Sequence, residues 1–315
     1  MKILFLGTGS GIPSLRRNVS SIALVFPKKN KLWLWDCGEG TQQQILKTSL
    51  KISKLEKIFI SHLHGDHLFG LPGLLASRGL VCGKNQKSIQ LFGPEGIDVY
   101  LEQTLKLTKT FIPYKIKVNV IPSNISSGIL YEDEEYVVRY CELVHNIKTY
   151  AYSLEQKKKH SHFLIEKARR YHIEPGPLYG ALKEGKIIQL PDGRTLNGED
   201  FIEYTEQRNK IVFGSDTVFS ERLISLSRNA DLLIHESTFS QKDKENAQRN
   251  FHSTSTDAAK IAKGAQVRTL IITHISSRYG RNCHENKESE RDLLLNAKKI
   301  FPNTLMAEDF MEYKF

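Results

Sequence analysis

Five short apolar runs in this 315-residue chain each lead into a histidine or an acid. KIFI (57–60) leads into Ser61-His62-Leu63-His64-Gly65-Asp66-His67, and YVVRYCELV (136–144) into His145. KIVFGS (210–215) leads into Asp216, LLI (232–234) into His235-Glu236, and TLIIT (269–273) into His274. A strand is a stiff element, so side chains just beyond its end can be placed by the core. Strands of this kind sharing one edge of a fold bring their imidazoles and carboxylates together in one cleft. Strands mixed with helices throughout predict an α/β class.

The spacing His62-x-His64-x-Asp66-His67 is too dense for one face of a regular helix or strand. It fits a tight loop opening into a helix, with Gly65 relaxing the backbone. Imidazole and carboxylate donors without thiolates suit zinc, manganese or iron. The full set exceeds what a single zinc ion takes, which leaves room for two metals. The cysteines, Cys37, Cys82, Cys141 and Cys283, are scattered with no Cys-x-x-Cys pair, which argues against a cysteine zinc site or a disulfide framework. His160, His162, His172 and His284 lie in polar stretches and read as surface residues. Gly7-x-Gly9-x-Gly11 superficially suggests a dinucleotide loop, but Pro13, Arg16 and Arg17 follow where a helix would be needed. A tight turn beside the cleft is the better reading.

Further along, the run Ser21–Phe26 and the run Leu32–Trp35 have hairpin spacing, Thr41–Leu50 and Ser255–Lys263 have helical spacing, and Tyr136–Val144 reads as the last strand of its half. Residues 153–186 differ in texture. They hold Lys157, Lys158, Lys159, Lys167, Arg169, Arg170, Lys183 and Lys186 against four glutamates, and Pro175-Gly176-Pro177 breaks any continuous helix. This predicts an insertion of two short helical pieces around an elbow, in an otherwise single domain over 1–315. The whole chain carries a net charge of +10, which favours polyanionic partners: nucleic acid, an anionic membrane surface or acidic substrates. Met1 runs directly into KILFLG, with no apolar stretch long enough for a signal peptide or membrane span. The expectation is a soluble cytoplasmic protein with no membrane partner.

The element HLHGDH, with His145, Asp216 and His274 downstream, resembles the metallo-β-lactamase superfamily. The resemblance narrows to the ribonuclease Z family of tRNA 3′-processing endonucleases. It is carried by FLGTGSGIP (5–13), DCGEGTQ (36–42), SHLHGDH (61–67), GLPGLL (70–75), GSDT (214–217), HEST (235–238), HST (252–254), THIS (273–276) and AEDF (307–310). These elements span nearly the whole chain. They imply an αββα metallo-β-lactamase sandwich with an inserted basic flexible arm, residues 153–186, that grips the tRNA precursor.

The resemblance also implies the site. One metal takes His62, His64 and His145, a second takes Asp66, His67 and His274, and Asp216 bridges them, with two Zn2+ per subunit or Mn2+ or another divalent metal in their place. A metal-bridged hydroxide attacks phosphorus, with Asp66 as proton acceptor, leaving a 3′-hydroxyl on the tRNA and a 5′-phosphate on the trailer. His252, oriented by Glu236, is the candidate acid for the leaving oxygen; the alternative is that both brace the metal shell. Asp36 is expected behind the ligands. Arg16, Arg17 and Asn18, together with Lys157, Lys158, Lys159, Arg169 and Arg170, are the expected RNA contacts, and the family's usual state is a homodimer. Leu15 departs from the family's Pro-x-Lys-x-Arg-Asn loop, which bears on cleavage position and on discrimination against CCA ends. Thioesterases, lactonases and arylsulfatases share the metal motif but need neither the basic arm nor Arg16-Arg17. An RNA-binding protein on a decayed hydrolase fold would lack ligands, yet every expected type is present. An exonuclease acting on free 3′ ends shares the chemistry.

Overall fold

The structure, a computed structural model, describes residues 1–26, 29–82, 87–157, 160–205, 209–280 and 288–314. Lys28, Lys158, Lys159, Cys283 and His284 lie outside them. The chain divides into two compact units. The larger is Met1–Glu132, Val137–Leu154 and Lys210–Phe315; the smaller is Asp133–Tyr136 with Glu155–Asn209.

Two seven-stranded sheets form the larger unit. The first has the spatial order Glu312–Lys314, Lys2–Gly7, Ser21–Phe26, Lys31–Trp35, Leu55–Phe59, Ile89–Pro94 and Ile116–Ile121. The second runs Thr304–Met306, Thr269–Thr273, Leu232–Glu236, Lys210–Phe213, Tyr150–Gln156, Tyr136–Glu142 and Ser127–Glu132. Ser21–Phe26 pairs antiparallel with Lys31–Trp35, the hairpin that its spacing predicts. From Lys31–Trp35 to Ile116–Ile121 the first sheet is parallel, and so is the second from Lys210–Phe213 to Thr304–Met306.

Parallel neighbours need long crossovers. Helices Leu71–Cys82 and Ile97–Leu107 provide them for the first sheet, and Glu221–Ser227, Ser255–Gly264 and Glu290–Ile300 for the second. Each set packs on its own sheet through a separate aliphatic core. Aromatic rings fill the space between the sheets: Trp35 stacks on Phe213 at 3.8 Å between centroids, and Phe59 lies 5.7 Å from Tyr152. Such pairs add about 0.5–1.5 kcal/mol each beyond the area they bury. The layering is therefore helix, sheet, sheet, helix.

In both sheets the parallel strands end on one edge, and chemistry collects there for the same reason that ligands bind at the carboxyl ends of open α/β sheets. The strand Tyr150–Gln156 belongs to this frame, although the sequence reading makes Tyr136–Val144 the last strand of its half and begins the insertion at Ser153. Tyr152 Oη donates to Ile60 O at 2.6 Å and Tyr150 N to Ser61 O at 3.0 Å, so this strand anchors the start of the His62 loop.

The smaller unit runs beyond the basic stretch, to Asn209 rather than Lys186. Its strand His160–Phe163 pairs with Ile202–Thr205, some forty residues on, and a second hairpin joins Ile187–Gln189 to Thr195–Asn197. Helices Ile165–Arg170 and Pro177–Lys183 flank Pro175-Gly176. Phe163, Ala168, Ile173, Tyr179, Leu182 and Phe201 give the unit a core of its own, so it is a folded insertion. Arg169 and Arg170 are exposed on it, Arg169 paired with Glu166 at 2.8 Å, and Lys157 is half-buried.

Candidate metal centre

His62, His64, His145 and Asp216 each offer a ligand atom within 4.8 Å of the others, and Asp66, His67 and His274 form a second such group. His62 Nε2 lies 3.1 Å from His64 Nδ1, which lies 3.3 Å from His145 Nε2. In the second group His67 Nε2 and His274 Nε2 are 3.3 Å apart, and Asp66 Oδ2 is 3.5 and 3.3 Å from them. Asp216 Oδ2 stands between the groups, 3.7 Å from His62 Nε2 and 3.4 Å from His67 Nε2.

The tautomers follow from what the outer nitrogens do. His62 Nδ1 donates to Ser61 Oγ at 2.9 Å, and Ser61 Oγ donates in turn to Asp36 Oδ2 at 2.9 Å. His67 Nδ1 donates to Asp36 Oδ2 at 2.7 Å and His145 Nδ1 to Phe251 O at 2.8 Å. His274 Nδ1 donates to Thr238 Oγ1 at 2.8 Å, whose hydroxyl donates to Glu236 Oε2 at 2.5 Å. These four rings thus turn Nε2 inward, as acceptors on the far nitrogen make metal-ligating histidines do. Neutral nitrogens facing one another at such range repel unless a cation lies between them. A tetrahedral cation bonded to nitrogen at about 2.0–2.1 Å holds its ligand atoms about 3.3–3.4 Å apart. The donor set and its spacing fit divalent metal binding.

Electrostatics separate the two groups. Burial holds His62 well below the usual imidazole range, and His67 nearby adds to this. Burial lowers His64 and His145 as well. His67 goes the other way: burial opposes its charge, but Asp216, Asp66 and Asp36 outweigh burial and raise it well above the ordinary value. Burial would likewise raise Asp216 and Asp66, yet His274 and His67 hold both low.

An order of metal loss follows. Imidazoles with lowered pKa stay in the ligating neutral form as pH falls, whereas a proton competes early for His67. As pH falls through the range in which imidazoles titrate, the Asp66–His67–His274 group is expected to give up its cation first. Metal per chain, measured by equilibrium dialysis across that range, should fall in two steps, with the upper step missing in Asp66→Ala. A single step in the wild type would remove the ordering.

Beside both groups lies His252, whose Nδ1 is 3.0 Å from Glu236 Oε1. Burial works against its charge, but Glu236 overcomes it and pushes the pKa up to about 9. Glu236 also accepts Thr217 N at 2.8 Å. The next residues in the chain fix this ring: Ser253 Oγ donates to Thr217 O at 2.5 Å, and Thr254 caps helix Ser255–Gly264 in a reciprocal box with Asp257. His235, at the end of the same strand, is buried with Nδ1 on Glu236 O at 2.7 Å and belongs to neither group.

The early loop departs from expectation. Arg16 and Leu15 are exposed, whereas Arg17 turns inward and is 4% exposed. Its guanidinium is taken by Glu290, Thr8 and Ala307, which corrects its assignment as an RNA contact. Asn18 is half-buried, with Nδ2 donating to Glu39 O at 2.8 Å. His162 and His172 are exposed, as expected. Sequence reasoning missed Ser61 and Thr238, although both sit inside quoted motifs, and it missed Glu290, for which nothing local signals a role.

The family profile described as "Anti-Pycsar protein Apyc1" matches residues 1–167, and the chain belongs to that sequence family over the half that holds His62 to His67 and His145. A ribonuclease Z from Trichodesmium erythraeum is 48% identical over 314 residues, 100% of this chain and 95% of that one. The chain belongs to the ribonuclease Z family. The short form of human tRNase Z superposes with a TM-score of 0.69 at 28% identity, covering 100% of this chain and 99% of that one. The metallo-β-lactamase fold protein YhfI from Bacillus subtilis superposes with a TM-score of 0.67 at 18% identity, covering 99% and 98%. The fold is thus the metallo-β-lactamase sandwich, and within ribonuclease Z relatives the match extends past residue 167 to include Asp216, His252 and His274.

Proposed function

We propose that this chain is a zinc-dependent endoribonuclease that removes 3′ trailers from tRNA precursors, leaving a 3′-hydroxyl on the tRNA and a 5′-phosphate on the trailer. The observation that carries the reading is the pair of inward-facing donor groups on either side of Asp216 Oδ2. His62, His64 and His145 would hold one zinc and Asp66, His67 and His274 the other, with Asp216 touching both; manganese or another divalent metal would suit the same donors. Two such cations supply the charge that makes water nucleophilic near neutral pH and offsets charge developing on a phosphodiester.

The chain's own groups do the rest. Asp66 would accept the proton of the attacking water, its carboxylate held in place by Gly11 N, which donates to Oδ2 at 2.9 Å. His252, held protonated by Glu236, delivers a proton to the leaving 3′ oxygen. Arg16 on the early loop, and Lys157, Arg169 and Arg170 on the basic insertion, meet RNA phosphates; Lys158 and Lys159 extend that run in the sequence. No helix among the described residues is long and apolar enough to cross a membrane. The proposed place of work is the cytoplasm, where its RNA substrate would be met. A homodimer is its working state; Leu80 and Val81 near the end of one helix, Leu107 at the end of another and Phe111 beyond it are exposed apolar side chains that a contact could use.

The test is incubation of a 3′-extended tRNA precursor with the metal-loaded wild type and with Asp66→Ala, the cut mapped to the nucleotide and bound metal measured alongside. One endonucleolytic cut near the discriminator base, lost in the variant, is expected. A fully loaded wild type that leaves the precursor whole would end this reading and direct attention to thioester and lactone substrates.

A further inference from the structure

The loop from Ser10 to Asn18 is stitched to the metal centre along its first limb. Gly9–Ser10 pairs in parallel with Ile275–Ser276, the two residues after His274, and Gly9 N donates to Asn18 O at 2.8 Å. Further out, Gly11 N donates to Asp66 Oδ2 at 2.9 Å. On the returning limb Arg17 reaches inward. Its Nε and Nη2 fork onto Glu290 Oε1 and Oε2 at 3.0 and 3.1 Å, while Nη1 donates to Thr8 Oγ1 at 2.7 Å and to Ala307 O at 2.6 Å. Asp309 completes the fastening: Oδ2 accepts Asn18 N at 2.7 Å and Gln44 Nε2 at 2.8 Å, and Oδ1 accepts the Thr8 hydroxyl at 2.7 Å.

We propose that Arg17 is a positioning residue: its fork on Glu290, backed by Asp309 on Asn18 N, latches the loop so that Gly11 meets Asp66 and exposed Leu15 and Arg16 meet the RNA at a set distance from the metal ligands. The inference rests on the endoribonuclease reading. Four of the five guanidinium N–H donors are spent inside the protein. To reach a phosphate, Arg17 would have to abandon a buried ion pair. Arg16, 43% exposed and only 3.5 Å from Glu290 at the rim, is the loop's cation for RNA. The latch joins residues 273 positions apart, so the C-terminal Ala307–Phe310 element and the start of helix Glu290–Ile300 gain a part in the reaction through the loop they hold.

Two readings of Arg17 predict opposite results. A phosphate contact needs only a positive charge, which lysine keeps; a latch needs the planar fork, which lysine lacks. Removing the charge of Glu290 frees a phosphate-binding arginine but undoes a latch. Wild type, Arg17→Lys and Glu290→Gln would be compared, with kcat and KM measured separately on the 3′-extended precursor at several salt concentrations and the cut mapped. Metal content, melting and amide hydrogen exchange of the loop would be followed in parallel.

Both variants are expected to lose about ten- to a hundredfold in kcat with KM within about threefold of wild type. The cut should scatter over neighbouring nucleotides, and the salt dependence of RNA binding should keep its slope. Loop amides should exchange at least about tenfold faster. The proposal is overturned if Arg17→Lys behaves as wild type, if Glu290→Gln keeps the wild-type kcat, or if loop exchange does not change. Should Arg17→Lys fail to fold, Glu290→Gln decides alone, since it keeps the arginine and its contacts to Thr8 and Ala307. Exchange needs no substrate, so an uncut precursor would defeat the endoribonuclease reading while the latch was still judged on its own.

Discussion

Asp216→Ala is expected to release both cations and to lower precursor cleavage by at least about a thousandfold. The carboxylate is buried, and its Oδ2 stands within 3.4–3.7 Å of an imidazole nitrogen from each donor group. Removing it leaves five imidazoles and one carboxylate, Asp66, to face two dications in a dry pocket. That is a poor trade, because charge neutralisation by ligands is much of what makes such a pair of ions tolerable at close range. Asp66→Ala, by contrast, touches one group only and should cost one metal. Counting bound metal per chain for the two variants distinguishes them. Retention of both metals by Asp216→Ala would mean that Asp216 does not join the two groups, and its assignment to both would fall.

His252→Ala is expected to lose more than about a hundredfold in kcat while keeping its metals. The ring stands 5.1 Å from His145 and 5.6 Å from His274 between centroids, and its Nδ1 is committed to Glu236. Glu236 pushes the pKa up to about 9, so the ring carries its proton at neutral pH, the form that a general acid requires. A precursor with a 3′-bridging sulfur at the scissile phosphate, whose leaving thiolate needs no proton, should restore most of the lost rate. Because His252, Asp216 and His274 also form a possible ligand group, metal content decides between roles. A variant that loses zinc and is not rescued by sulfur would make His252 a brace for the metal shell.

Much of the metal centre is readable in the sequence, and the reason is local. His62, His64, Asp66 and His67 lie within six residues, so their closeness in space is guaranteed by chain connectivity. His145, Asp216 and His274 are readable because each follows a hydrophobic run; parallel strands share an edge, which places Asp216 and His274, whereas His145 follows a strand outside the parallel part of its sheet. The strand Tyr150–Gln156 escaped because its charged end, Glu155-Gln156, runs straight into the lysines, so its periodicity fades where the insertion begins. The end of the insertion at Asn209 escaped for another reason: it depends on Ile202–Thr205 pairing with His160–Phe163, a contact no local pattern announces.

What the sequence by itself determined is the inventory and its rough placement: imidazole and carboxylate donors at strand ends, a basic insertion, and membership in a family whose motifs run the length of the chain. Tertiary structure alone decided which atom each residue presents. His64 faces its partners with Nδ1 and the other rings with Nε2, because Ser61, Asp36, Phe251 and Thr238 occupy the opposite nitrogens. Arg16 and Arg17 are neighbours of the same type and both meet Glu290, yet one is exposed and the other is buried, because Thr8 and Ala307 also take the guanidinium of Arg17. Residue type sets what a side chain can donate or accept. Partners brought from hundreds of residues away set where it must spend that capacity, since a buried polar group left without a partner costs about 1–3 kcal/mol.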